Sequence, residues 1–207
     1  MLHYTTIEAN TLSILKRLLK LPQLNSFNLA GGTALALRYG HRISVDIDLF
    51  GNNFDKDELI KALQNEFGEE FVYEHAQNTW ALFCYIQNIK VDLIQYPHPI
   101  ITPIEEIDGI RMLSAVDIAA MKIAAILGRA SKKDFWDIHE LLEHYSLDEM
   151  IRAYKTKFPN QMLLISIPQA LCYFDEADQS ENPISLKEQS WELVQTSIKE
   201  KVRDFLS

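Results

Sequence analysis

Apolar residues recur at helical spacing through the opening stretch, where Ile7, Ile14, Leu15, Leu18 and Leu19 share one face and Pro22 ends the run. That pattern predicts an amphipathic helix over 6–19. Phe27-Asn28-Leu29-Ala30 reads as a short strand entering Gly31-Gly32, and from Thr33 the chain turns helical until Gly40 offers a left-handed cap. Alternation resumes over 43–50, predicting a strand. A further helix is expected over 55–67, with acids in its first turn, Leu59, Ala62, Leu63 and Phe67 on one face, and Gly68 at its end. Strand-like runs follow at 71–75, 80–87 and 89–95, the last two meeting at a tight Gln87-Asn88 hairpin turn.

Pro97, Pro99 and Pro103 mark the best boundary in the chain. Beyond it the periodicity is helical: 114–127, with Ser114 as N-cap and Asp117 three positions on, then 132–145, 147–158, 161–174 and 185–205. Strands with helices in the first half and helices alone in the second describe an α+β architecture. We expect an α/β core with an N-terminal helix over 1–100 and a helical region over 101–207. No internal repeat of solenoid length is present.

Composition narrows the function. Against 20 Lys and Arg stand 29 Asp and Glu among 207 residues, a net charge of −9, which is the wrong sign for gripping nucleic acid through a general basic surface. Cys84 and Cys172 stand alone in apolar surroundings and read as buried free thiols of a reducing compartment. With no signal-like start and no apolar run of membrane-spanning length, a cytoplasmic protein without membrane association is expected.

The chemistry concentrates in Val45-Asp46-Ile47-Asp48-Leu49. Residues two apart on a strand project from the same side, so Asp46 and Asp48 point together. Paired carboxylates repel unless a cation lies between them, and a hard divalent ion such as Mg2+ takes such oxygen ligands together with substrate phosphates. The same alternation also suits the solvated face of a half-buried strand. Gly31-Gly32-Thr33, at a strand-to-helix turn just upstream, is where backbone N–H groups can approach a phosphate. Asp92, among apolar residues in Val91-Asp92-Leu93, supplies a third carboxylate if its strand lies alongside.

Together, Gly31-Gly32-Thr33, the run from His41 to Phe50, Val91-Asp92-Leu93, Asp117 to Lys122, and Arg129 with Lys133-Asp134-Phe135-Trp136-Asp137 resemble the signature of the nucleotidyltransferase superfamily, and within it the AbiEii/AbiGii toxin family. The resemblance implies a nucleotidyltransferase-like mixed sheet with flanking helices, and a helical region, 101–207, that completes the active-site cleft. It implies transfer of a nucleoside monophosphate from a nucleoside triphosphate (NTP) to an acceptor hydroxyl, dependent on Mg2+ or Mn2+. Asp46, Asp48 and Asp92 would hold metal, and Asp92 would also accept the hydroxyl proton. Gly31, Gly32, Thr33 and Ser44 would meet the triphosphate. Lys122 would offset its charge, although a lysine reaching from an apolar helix to water has the same spacing.

For the acidic positions of the later motif, Asp137 is favoured for packing against the site and Asp134 for a charge pair or a supporting role behind the site; spacing does not decide between the two residues. Arg38, His41 and Arg42 form a small positive rim, with no reaction role assigned to His41. Lys155 and Lys157, near Arg152 on one predicted helix, could serve as a local basic patch for an RNA acceptor, but solvated surface is the favoured reading. The implied partners are an acceptor RNA or protein and a separately encoded antitoxin. Two other readings remain: a nucleotidyltransferase acting on a small, antibiotic-type molecule, and a nucleotide-binding module without turnover.

Overall fold

The computed structural model describes residues 1–73 and 78–207; the expected strand positions 74 and 75 lie outside the described residues. The chain divides into two compact units. One comprises Met1–Arg38, Ser44–Pro97 and Ile104–Leu113, the other Tyr39–Ile43, His98–Pro103 and Ser114–Ser207.

In the first unit, helices α1 (Ala9–Leu18), α2 (Gly31–Tyr39, whose last residue belongs to the second unit) and α3 (Lys56–Phe67) accompany strands β1 (Asn28–Leu29), β2 (Ile47–Gly51), β3 (Phe71–Tyr73), β4 (Ala81–Ile86), β5 (Ile89–Gln95), β6 (Glu105–Ile107) and β7 (Ile110–Met112). Among the described residues these strands form one mixed sheet, ordered β3-β4-β5-β2-β1-β7-β6. β2 runs parallel to β5, and β1 parallel to β7; the other neighbours are antiparallel. Register explains the burial. Ile47, Val91 and Cys84 lie opposite one another, as do Leu49, Leu93 and Leu82, and all six are buried. Each such aliphatic residue contributes roughly 1.5–3 kcal/mol through removal from water. The intervening residues Asp48, Asp92 and Phe83 necessarily share the opposite face.

The hairpin at Gln87-Asn88 forms as expected, with both residues at positive φ (51° and 64°). A second hairpin, β6 to β7, stands where only helices were expected. Its turn is Asp108-Gly109, again with both residues at positive φ, and the flanking Ile107, Ile110 and Met112 favour strands.

The second unit is helical: α4 (Ala115–Gly128), α5 (Lys132–Leu141), α6 (Leu147–Lys157), α7 (Ile167–Leu171), α8 (Asp175–Asp178) and α9 (Trp191–Leu206). α4 packs on α5, α6 and α7, and α9 packs on α5, α6 and α7, burying Ile118, Ile123, Phe135, Ile138, Met150, Val194 and Ile198. Trp136 and Trp191 stack with centroids 5.6 Å apart. The helix expected over 161–174 begins only at Ile167, because Ser166 and Gln169 form a capping box and Pro168 occupies the first turn. Met162 to Ile165, ahead of it, are exposed.

Ser114 caps α4 as expected, accepting from Asp117 N at 3.1 Å. The Asp117 carboxylate does more than cap. It accepts from the Ile101 and Thr102 N–H groups at 2.9 and 3.1 Å and from Lys157 Nζ at 2.6 Å. Lys157 is thus a correction: read as solvated surface, it is fully buried, because α6 turns it to the same side as Tyr154 and Ala153, three and four residues earlier. Cys84 is buried and Cys172 partly so, both as free thiols, and burial pushes Cys84 up to about 12.

Candidate active site

Two clusters of charge gather the residues singled out from the sequence, one in each unit. In the first unit Asp48 and Asp92 are register partners on the adjacent parallel strands β2 and β5. Their side chains therefore emerge side by side, about 4.8 Å apart at the backbone. Gly31 opens α2 directly against them. Its φ is +65°, and a Cβ built there falls 2.5 Å from Asp48 Oδ2, so both the backbone conformation and the space require glycine.

Asp46 lies one residue before β2 rather than within it. Its carbonyl oxygen accepts from the Thr33 hydroxyl, and Thr33 Oγ1 lies 2.8 Å from Ser44 Oγ. Ser44 N in turn donates to Thr6 O at 2.9 Å. The Thr33 hydroxyl, expected at a triphosphate, is thus buried and committed to fixing the approach to β2. Since its proton goes to Asp46 O, Ser44 is the donor in the hydroxyl pair.

Lys90 was not singled out, although the two-residue spacing that aligned Asp46 with Asp48 also aligns Lys90 with Asp92. Its Nζ lies 2.5 Å from Asp92 Oδ2. Partial burial alone would lower the Lys90 pKa, but the Asp92 hydrogen bond and the charges of Asp92, Asp48 and Asp46 raise it overall. Among the described residues, no three His, Cys, Asp or Glu side chains converge as a ready metal-ligand group. The donor set nonetheless fits a hard divalent cation: the ligands are carboxylate oxygens, and Asp92 Oδ1 is buried without a hydrogen-bond partner.

In the second unit Asp137, on α5, is the hub. Its Oδ1 accepts from His41 Nε2 at 2.8 Å and from Arg42 Nε at 2.7 Å, and its Oδ2 from Arg42 Nη2 at 2.8 Å, while Lys122 Nζ also lies 2.6 Å from Oδ2. Lys122 also donates to Asp134 Oδ1 at 2.8 Å, and Ser131 Oγ to Asp134 Oδ2 at 2.6 Å. Burial on its own raises the Asp137 pKa. The Arg42 and Lys122 charges, with the His41 and Arg42 hydrogen bonds, overcome this and hold it well below the usual carboxylate range. Burial lowers Lys122 and the Arg42 charge opposes it too, yet Asp137 and Asp134 leave its pKa raised.

Asp134 pairs with Lys122, which thus has two carboxylates as neighbours. Arg42 and His41, grouped as a rim, are buried. The backbone of 41–43 is also held: Ile43 N donates to Ile184 O and Leu186 N to His41 O, each at 2.9 Å.

Solved structures share this fold. JHP933 from Helicobacter pylori superposes with a TM-score of 0.55 at 16% identity, covering 95% of this chain and 92% of that one. MenT4, a nucleotidyltransferase toxin from Mycobacterium tuberculosis, reaches 0.63 at 13% identity over 94% of this chain and 82% of its own. The fold is that of a nucleotidyltransferase. An uncharacterized protein of Aquifex aeolicus is 34% identical over 199 residues, 93% of this chain and 94% of its own. Residues 13–205 match the family described as "Nucleotidyl transferase AbiEii toxin, Type IV TA system", and the chain belongs to that family. Among the described residues no helix is long and apolar enough to cross a membrane.

Proposed function

We propose that this chain is a metal-dependent nucleotidyltransferase toxin of the cytoplasm, restrained by a separately encoded antitoxin, which transfers a nucleoside monophosphate from an NTP to a hydroxyl of an RNA or protein. The observation that carries the reading is the in-register pair Asp48 and Asp92 beside the glycine that opens α2, with Asp92 Oδ1 left unpartnered.

Asp46, Asp48 and Asp92 are the residues that would hold Mg2+ or Mn2+. Bound there, the ion supplies positive charge against the triphosphate and the developing charge of the reaction. The residues do the rest. Backbone N–H groups of Gly31, Gly32 and Thr33, at the positive end of α2, orient the phosphates. The acceptor oxygen attacks the α-phosphorus, the bond from that phosphorus to the bridging oxygen of the β-phosphate breaks, and pyrophosphate leaves with the electron pair. Asp92 accepts the hydroxyl proton.

Thr33 and Ser44 act as positioning residues through the Asp46 backbone. Within the second unit, Lys122, Asp134 and Asp137 hold the stretch 41–43 through His41 and Arg42.

The test is transfer of label from each α-labelled NTP to the RNA and protein of a cell lysate. Wild-type protein is expected to label an acceptor and to arrest growth on expression, and Asp48→Asn to do neither. Labelling identical in the two proteins would sink the proposal. Drug resistance without growth arrest would point instead to a small acceptor.

A further inference from the structure

We propose that the Lys90 ammonium is a built-in counterion, holding the cation position among Asp46, Asp48 and Asp92 until nucleotide arrives. Metal then binds weakly to the free protein and strongly only together with a triphosphate. This rests on the nucleotidyltransferase reading of the same carboxylates.

Three carboxylates near one face of a sheet repel one another unless a positive charge lies with them. Lys90 brings that charge from within the cluster. It lies two residues before Asp92 on β5 and so shares its face, with Nζ 2.5 Å from Asp92 Oδ2. Asp48 stands opposite Asp92 in register, and the charges of all three acids act on the ammonium. A metal ion that binds Asp92 must therefore compete for a carboxylate that already has a cation.

Lys90 is suited to give way. Its side chain is 43% exposed, and an ammonium on a flexible four-carbon stem can swing from one anion to another without moving the backbone. It satisfies only one Asp92 oxygen, and Oδ1 is left for a ligand. A lone divalent ion gains the carboxylates but leaves the ammonium beside its own positive charge. An ion arriving with a triphosphate brings anionic oxygens to which the displaced ammonium can turn. The two ligands are thereby coupled, each raising the affinity for the other by the same factor.

The experiment titrates Mn2+ into the metal-free full chain, following free Mn2+ by electron paramagnetic resonance, with and without an α,β-methylene triphosphate. Thermal melts of each variant run alongside. Wild type is expected to bind Mn2+ weakly alone and much more tightly with the analogue. Lys90→Met should bind Mn2+ alone about ten-fold more tightly than wild type, equivalent to ~1.4 kcal/mol, should gain less from the analogue, and should melt lower without metal. Lys90→Arg, which keeps the charge, should stay close to wild type.

Equal or weaker Mn2+ affinity in Lys90→Met would overturn the counterion role. Asp48→Asn separates the two levels. If it loses Mn2+ binding while Lys90→Met matches wild type, only the Lys90 inference fails; if no variant differs from wild type, or none binds, the carboxylate metal site fails with it.

Discussion

Arg42 grips Asp137 through two nitrogens, Nε at 2.7 Å and Nη2 at 2.8 Å, with both side chains buried. Lys122 Nζ lies 2.6 Å from Oδ2 of the same carboxylate. Two buried cations thus share Asp137, and Lys122 also has Asp134 at 2.8 Å. Asp137→Ala should cost about 3–5 kcal/mol in urea denaturation, because it removes the carboxylate common to both buried cations. Arg42→Lys keeps the charge but loses the fork, and should cost about 1–3 kcal/mol. If Asp137→Ala proves no more harmful than Arg42→Lys, the cluster is not the electrostatic hub described.

Gly31 answers to two constraints at once, a φ of +65° and the Asp48 carboxylate 2.5 Å from where a Cβ would sit. Gly109 shares only the first, with φ +76° and nothing within 4 Å. Each alanine substitution should therefore cost about 1–2 kcal/mol through backbone strain. Gly31→Ala should in addition displace Asp48 and abolish nucleotidyl transfer, while Gly109→Ala leaves transfer near wild type. Melting curves and the labelling assay measure the two effects separately. Equal transfer by both variants would contradict the close approach.

Lys157 and Asp117 form a buried pair at 2.6 Å. Lys157 also donates to Pro99 O at 2.8 Å, and Asp117 receives the N–H groups of Ile101 and Thr102. The proline-rich stretch is thereby tied to α4 and α6. Lys157→Met should destabilise by about 3–5 kcal/mol. Adding Asp117→Asn should recover part of the loss, giving a coupling of at least about 1 kcal/mol in a double-mutant cycle. Strictly additive effects would show that the pair is not energetically joined.

The sequence was most legible where one local rule decided the outcome. Strand-like spacing placed one strand through Asp48 and another through Asp92, and Ser114 announced the start of α4. The same spacing pointed to Lys90, but a lysine between apolar residues reads equally well as a solvated side chain. Lys157 was illegible for a different reason: its partner Asp117 is distant in sequence and already had a local explanation as part of a cap. Arg42 and His41 looked like a rim because nothing local announces that Asp137 meets them. The β6 to β7 hairpin did carry a signal, Asp108-Gly109, but its three-residue strands are too short to show alternation between the proline-rich connection and the helix that starts after Ser114.

His139, on α5, connects this packing to pH. It is buried, with Nδ1 lacking a hydrogen-bond partner. Burial lowers its pKa; Glu143 and Glu140 pull the other way, and His41 and Lys187 add to the lowering. The unfolded chain takes up a proton near pH 6.5, whereas the folded chain resists until lower pH. Stability from the neutral imidazole is therefore complete above the unfolded value and is lost as pH falls toward the folded one. His98, lowered by burial and by the Lys157 charge, acts in the same direction. Between roughly pH 7.5 and 5.5, the wild-type urea midpoint should fall, and His139→Phe should flatten that fall without removing it, since His98 remains. Parallel curves for the two proteins would show that His139 is not protonated more readily on unfolding.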